Sequence, residues 1–343
     1  MVFKKLHKLF TIMKKMYLNF KNAKVNLTCL VLFGVLTTSC EKSEINDDVV
    51  SAKEISTLTK GLTSKTASTA GYIENGVNLQ PSYYNNGNCD LGWTLMKQNT
   101  NIKSVRIEVE PGQETNAKRW ISEAKSNGFQ VIVTYHKASV LGSDNASDLL
   151  AAGTWWKNNY NSLGGGFIVN LMNEWGSHNI TPSAYASAYN AAIAEVRTVY
   201  SGSIIIDIPG WGQETATAAC AVKGCSTGQT KITDTKIILS AHIYPGAYNQ
   251  AKGRYMNTSD IDDLASSGRA CILGEFGNIG GSGADWSGIV DYAKSKGWSV
   301  IGWAWAGDGI GMNMITPQFQ PYVSGSPKTY TKTTYFNIVY NKL

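Results

Sequence analysis

No stretch of the 343-residue sequence approaches twenty consecutive apolar residues, so an ordinary membrane-spanning helix is excluded. Acidic residues are absent from positions 1–39, where seven lysines lie (Lys4, Lys5, Lys8, Lys14, Lys15, Lys21 and Lys24). The formal net charge of +6 is therefore local. Beyond residue 39, 24 basic residues face 25 acidic ones. A chain so balanced lacks the basic footprint of a nucleic-acid binder. No Cys/His spacing suits a zinc site, and neither a metal nor a cofactor is expected. No Gly-rich phosphate turn follows the first predicted strand, which argues against a doubly wound open sheet. The chain is instead 43% hydrophobic and 10% aromatic, too rich in both to be largely disordered.

The lysines precede an apolar stretch, Val25 to Leu36, about the length of a signal-peptide core and too short to span a bilayer. Thr37, Thr38 and Ser39 follow, then Cys40. The pattern resembles a bacterial lipoprotein signal over residues 1–39, with Cys40 becoming the acylated N-terminus. Thr37 stands where such signals usually carry Leu. Ordinary signal cleavage near Ser39 is the alternative, and both readings export the protein. Residues 40–70 read as a flexible tether: positions 41–70 hold ten Ser or Thr and no aromatic residue, too little apolar surface to order the segment. Of six cysteines, Cys220 and Cys225 bracket a polar loop and are expected to form a small disulfide after export. Cys89 and Cys271 read as buried thiols or as a second bridge.

Residues 71–343 form one domain, long for the average but right for a (β/α)8 TIM barrel. Eight near-continuous apolar runs alternate with amphipathic stretches. The strands are expected at Tyr72–Leu79, Ser104–Val109, Phe129–His136, Phe167–Glu174, Ser203–Pro209, Lys236–Tyr244, Ala270–Phe276 and Ser299–Ala306. Helices are expected at Asn116–Asn127, Ala146–Tyr160, Pro182–Tyr200 and Trp286–Lys296. Thr115, Thr181 and Ser259 are the expected caps, and Gly128 and Gly297 the expected helix stops. Trp155 and Trp156 read as helix packing, and Gly164–Gly166 as a turn.

Chemistry in such a barrel sits at the C-terminal strand ends. Polar residues collect there: Arg106 on strand two, His136 ending strand three, Asn173 and Glu174 ending strand four, Trp211 after strand five, His242 and Tyr244 ending strand six, Glu275 near the end of strand seven, Trp303 and Trp305 on strand eight. A lone Glu ending a strand is commonly a cap or an ion-pair partner. Two of them, on strands four and seven, face each other across a barrel mouth. That pairing suits retaining glycoside hydrolysis, with one carboxylic acid protonating the leaving oxygen and one carboxylate attacking the anomeric carbon. Arg106, buried in an apolar strand, needs a carboxylate partner. Glu275 is expected there, with Glu108 or Glu110 as the competing partners. Aromatic rings at the rim suit a sugar. A period of two puts Trp303 and Trp305 on one face; Trp305, nearer the strand end, is the expected platform.

The ordered set Val-Arg-Ile (105–107), Tyr-His (135–136), Leu-Met-Asn-Glu-Trp-Gly (171–176), His-Ile-Tyr (242–244), Gly-Glu-Phe-Gly (274–277) and Gly-Trp-Ala-Trp-Ala-Gly (302–307) resembles glycoside hydrolase family 5 of clan A across nearly all of 71–310. The resemblance implies Glu174 as acid/base and Glu275 as nucleophile. It further implies Asn173 on the sugar 2-hydroxyl, Arg106 and Tyr244 on the nucleophile, and His242 beside the acid/base. Residues 205–213, Ile-Ile-Asp-Ile-Pro-Gly-Trp-Gly-Gln, resemble the strand-five segment of bacterial endo-β-1,4-mannanases. Three places depart from them: Lys137 follows His136 where Asp is usual, Asp308 replaces Asn, and the first strand differs. The implied activity is endo-β-1,4-glycanase on plant-type polysaccharide, foremost β-mannan, with a glucanase or xylan-active relative as the alternative. A non-catalytic glycan-binding barrel is the alternative of another class. The expected partners are the β-1,4-linked polysaccharide and a membrane reached only through Cys40; a monomer is expected.

Overall fold

The structure is a computed structural model that describes residues 72–343; the predicted signal, Cys40 and the tether lie outside the described residues. Eight parallel strands close into a barrel: β1 (Gly76–Leu79), β2 (Ser104–Val109), β3 (Gln130–Tyr135), β4 (Ile168–Asn170), β5 (Ile204–Asp207), β6 (Ile237–Ile243), β7 (Ala270–Phe276) and β8 (Ser299–Ala306). Each strand neighbours the next in sequence, and β1 pairs with both β2 and β8. This is the (β/α)8 barrel expected. Three strands, β2, β7 and β8, match their predicted bounds; the other five are shorter, β1 and β4 by the most. Glu174 therefore lies beyond β4, in a turn, rather than on the strand.

Two apolar layers follow from the alternation of strand side chains. Ile132, Ile205, Ile238, Ile272 and Ile301 point inward with Ile73 as one small cluster. The larger layer lies between strands and helices and includes Val105 and Ile107, the two neighbours of Arg106. Helices at Glu114–Ser126, Ala146–Asn159, Pro182–Arg197, Thr215–Lys223, Thr258–Ala265 and Trp286–Ser295 cover the outside. Trp156 is buried and donates to the Leu171 carbonyl at 2.8 Å, and Trp155 Nε1 reaches Glu114 at 2.7 Å, so this pair packs as expected.

The caps hold in part. Thr181 accepts from the Ala184 amide, with Pro182 at the first helical position. Thr115 instead lies inside its helix, which starts one residue earlier after Gln113. Ser259 is also inside; Asn257 caps that helix, and Asp260 returns the bond to the Asn257 amide. Gly128 and Gly297 have φ of 86° and 80°, as helix stops. Cys220 and Cys225 are disulfide-bonded, with Cα atoms 5.2 Å apart. Cys89 and Cys271 are separate buried thiols, which removes the second bridge.

Candidate active site

Arg106 sits on β2 with its side chain turned into the barrel, and every nitrogen of its guanidinium is engaged. Nε donates to Asn170 at 2.7 Å. Nη1 donates to Asn78 at 2.9 Å, Glu108 at 3.1 Å and Glu275 at 2.9 Å. Nη2 donates to Asn173 at 2.6 Å and Asp207 at 3.1 Å. One buried cation thus serves three buried carboxylates. Removing a guanidinium from water is costly, and this density of partners offsets the cost. Burial pulls its pKa down, but Asp207, Glu275 and Glu108 reverse that and hold it above its ordinary value. The competing partners separate cleanly: Glu108 shares Arg106 with Glu275, and Glu110 does not touch it.

Glu275 reaches this centre through a break in the strand pairing. Regular alternation would send it outward with Leu273. Between β6 and β7 the register shifts, so that Leu273 lies opposite Ala241 and Glu275 opposite His242. The extra residue turns the carboxylate inward. Gly274 makes room: a Cβ there would lie 2.1 Å from Ser240 Oγ. Glu275 then accepts from Arg106 on Oε1 and from Tyr244 Oη on Oε2 at 2.8 Å. Burial pushes its carboxyl up to about 7, against the opposing pull of His242 and Arg106.

Glu174 has φ of 48°, an unusual value for a residue with a side chain. Its amide donates to Asp207 Oδ2 at 3.2 Å, and its carbonyl accepts from Gly142 at 2.8 Å. His242 Nδ1 meets its Oε1 at 2.8 Å. His242 Nε2 lies 3.5 Å from Asp207 and Nδ1 3.6 Å from Glu275. Burial disfavours the imidazolium, but Glu275 and Asp207 overcome this and raise its pKa well above the ordinary value. Asp207 goes the other way: burial raises its carboxyl, while His242 and Arg106 bring it far below the usual range.

Glu174, His242 and Glu275 each place a ligand-type atom within 4.8 Å of the other two. Among the described residues they are the one such group able to hold a metal ion. The two carboxylates are thus as close as the retaining geometry requires, roughly 5 Å.

The remaining predicted residues divide. Asn173 gives Oδ1 to Arg106, which leaves its amide nitrogen for another partner. Trp211, 38% exposed with φ of 55°, lies against Gly142, where an added Cβ would come within 2.4 Å of the indole. His136 is buried beside two carboxylates. Nδ1 meets Glu110 at 2.9 Å and Nε2 is 3.5 Å from Glu108. Tyr83 Oη bonds both Glu110 and His136 Nδ1. Burial lowers the His136 pKa, but Glu108 and Glu110 outweigh it and the net shift is upward.

Trp305 does not line the mouth. It is fully buried, donates to the Leu91 carbonyl at 2.9 Å and packs edge-on against Phe336. The expectation failed because β8 is not regularly pleated. Val77 pairs with Gly302 but Leu79 with Ala306, so four residues of β8 span two of β1 and a period of two no longer holds. Trp303 retains 9% exposure instead, with Nε1 bonded to Asp308 at 2.9 Å. Asp308 also accepts the Ile310 and Met312 amides, both at 2.8 Å. The departure from Asn at this position therefore anchors a loop and one indole together.

Sequence reasoning gave no role to Asp207, Asn78 or Asn170. Their signal was available: Ile-Ile-Ile-Asp is an apolar strand ending in a carboxylate, which demands a buried partner as Arg106 does.

A parallel barrel with two close carboxylates at its C-terminal mouth defines a glycoside hydrolase architecture. The sequence profile of the cellulase family (glycosyl hydrolase family 5) matches residues 89–309. The chain belongs to glycoside hydrolase family 5. It is 24% identical over 315 residues to a mannan endo-1,4-β-mannosidase of Cellvibrio japonicus, covering 83% of this chain and 72% of that one. It is 24% identical over 258 residues to a mannan endo-1,4-β-mannosidase of Streptomyces lividans, covering 72% of this chain and 65% of that one. The catalytic domain of a mannanase from Streptomyces sp. SirexAA-E shares the fold at a TM-score of 0.60 and 18% identity, over 79% of this chain and 85% of that one.

Proposed function

We propose that the protein is a retaining endo-β-1,4-mannanase with Glu174 as acid/base and Glu275 as nucleophile. The observation that carries the chemistry is the pair itself, two carboxylates within 4.8 Å in unlike surroundings. Glu275 is oriented from both sides by Arg106 and Tyr244 and attacks the anomeric carbon. The glycosidic bond breaks as Glu174 gives its proton to the leaving oxygen. Ester formation consumes the Glu275 charge, which is the foremost influence holding the proton on His242. Glu174 then takes a proton from water, the water oxygen attacks the anomeric carbon, and the ester bond to Glu275 breaks. Asn173, with its oxygen held by Arg106, offers an amide donor to the sugar 2-hydroxyl. Trp211 offers a half-exposed ring to a pyranose.

Mannan is favoured by the strand-five segment 205–213 and by the likeness to mannan-degrading relatives. An endo-β-1,4-glucanase would use the same residues. Assay of the purified protein on galactomannan, glucomannan, carboxymethyl cellulose and xylan decides the substrate; activity confined to cellulose or xylan overturns mannan and leaves the chemistry. We also infer export and a lipid anchor at Cys40, supported by the lysine-led apolar stretch and the small residues before that cysteine. Among the described residues no helix is long and apolar enough to cross a membrane.

A further inference from the structure

After β6 the chain builds more than a turn requires. Tyr248–Asn249 and Arg254–Tyr255 form a short antiparallel ribbon on the C-terminal face. Tyr248 pairs with Tyr255, and directly paired side chains project to one side. Their rings meet edge-on, with centroids 5.3 Å apart. The two tyrosines are 36% and 46% exposed, and neither hydroxyl is engaged by another described residue.

The ribbon is held rigidly, and its supports lead back to Trp211. The Tyr248 amide donates to Gln213 at 2.9 Å, two residues from Trp211. Glu214, fully buried and outside the catalytic network, accepts the Gln250 and Ala251 amides at 2.7 and 3.2 Å. The same carboxylate holds His178 Nδ1 at 2.6 Å, and the His178 ring packs on Trp211 with centroids 5.2 Å apart. On the other flank Tyr255 lies on Gly283, where an added Cβ would come within 2.4 Å of the ring. A buried carboxylate thus fixes the relation of two aromatic surfaces, Trp211 and the tyrosine ribbon. Trp211 in turn rests on Gly142, whose amide bonds the Glu174 carbonyl.

The geometry points to the Tyr248–Tyr255 ribbon as a separate carbohydrate subsite that takes distant sugar residues of a long β-1,4-linked chain. Exposed rings offer surface for the C–H faces of pyranoses, and free hydroxyls offer hydrogen bonds to sugar hydroxyls. This inference rests on the glycanase reading of the mouth but not on mannan over glucan.

The test is the Tyr248→Ala/Tyr255→Ala double variant, with Tyr248→Phe/Tyr255→Phe as the ring-retaining control. On galactomannan the alanine variant should show KM raised about tenfold, the scale of a lost aromatic contact, with kcat kept. If the subsite takes only distant sugars, kcat/KM on mannotetraose should stay at the wild-type value. Equal losses on both substrates, or no loss on either, overturn the subsite. A binding readout separates this from the substrate reading. In a Glu174→Gln background, migration through gels containing glucomannan or carboxymethyl cellulose should be retarded, and the two alanines should relieve it. If the wild type hydrolyses no mannan but ribbon-dependent retardation persists, the mannanase reading fails and the subsite stands. If neither gel shows ribbon-dependent retardation, the subsite fails.

Discussion

Arg106 Nη1 donates to Glu275 Oε1 at 2.9 Å from inside the barrel and also to Glu108 and Asn78, while Nε and Nη2 hold Asn170, Asn173 and Asp207. The residue is therefore both an electrostatic partner of the nucleophile and the hub of the interior. Arg106→Met should move the acid limb of the pH–rate profile upward, because Glu275 loses one of the two cations that favour its ionised form. It should also cost about 3–5 kcal/mol, the scale of breaking a buried ion pair, and lower Tm by roughly 10 °C. A stability loss with an unmoved acid limb would reduce Arg106 to a structural role.

Glu275 gives the opposite sign in a stability experiment. Burial lifts its folded pKa to about 7, above the ordinary carboxyl value of 4.5, so the folded state disfavours the ionised carboxylate. Its stabilising contribution is full below pH 4.5 and is lost as pH rises through 7. The raised pKa of His242 has the same sign, since its charged form is favoured by Glu275. Glu275→Gln cannot ionise. Its Tm should gain on the wild type between pH 5 and pH 8, by at most about 3 kcal/mol in stability. Melting curves across that range would refute the assignment if the gap narrows as pH rises.

Truncating either carboxylate should lower turnover by several orders of magnitude and keep the fold, since both sit at the mouth. Azide should rescue Glu275→Ala and yield an inverted glycosyl azide, because a small anion can attack from the face the side chain vacates. An inverted sugar from the wild-type enzyme would defeat the two-step mechanism.

If Cys40 carries the lipid, Cys40→Ser should abolish incorporation of labelled palmitate and leave the specific activity of the exported protein intact. Labelling that survives the substitution would refute the anchor at this position.

The eight strands were legible because helix-covered parallel strands must be apolar on both faces, and Ile-Ile-Ile or Val-Ile-Val runs admit few other readings. The paired carboxylates were legible because polar side chains at the ends of such runs are costly without a purpose. The Trp305 platform failed because it depended on strict alternation, and the Thr115 and Ser259 caps failed because their helices start earlier; Glu275 reached the mouth only because alternation is broken. The register shift at Gly274 turns Glu275 inward, and the irregular pairing of β8 puts Trp305 outside the mouth. Both are set by packing between strands distant in sequence, so a window on one strand carries no trace of them. Asn78 and Asn170 were hidden for a related reason: each is unremarkable alone and acquires meaning only around Arg106, whereas Asp207, ending an apolar strand, carried a readable signal.

The two tryptophans give the sharpest contrast between site and scaffold. Trp211 is half-exposed in the left-handed region and rests on Gly142, with His178 at its edge. It contributes little to the core. Trp211→Ala should keep Tm and raise KM on polymer by about tenfold, the scale of one lost aromatic contact of about 1.4 kcal/mol. Trp305 is fully buried between the Leu91 carbonyl and Phe336. Trp305→Ala opens a large cavity and should cost about 3–5 kcal/mol of stability, with KM near the wild-type value in whatever fraction remains folded. Measured side by side, Tm and KM should move in opposite members of the pair. A Trp305→Ala protein that melts normally but binds polymer poorly would return that residue to the sugar platform the sequence first implied.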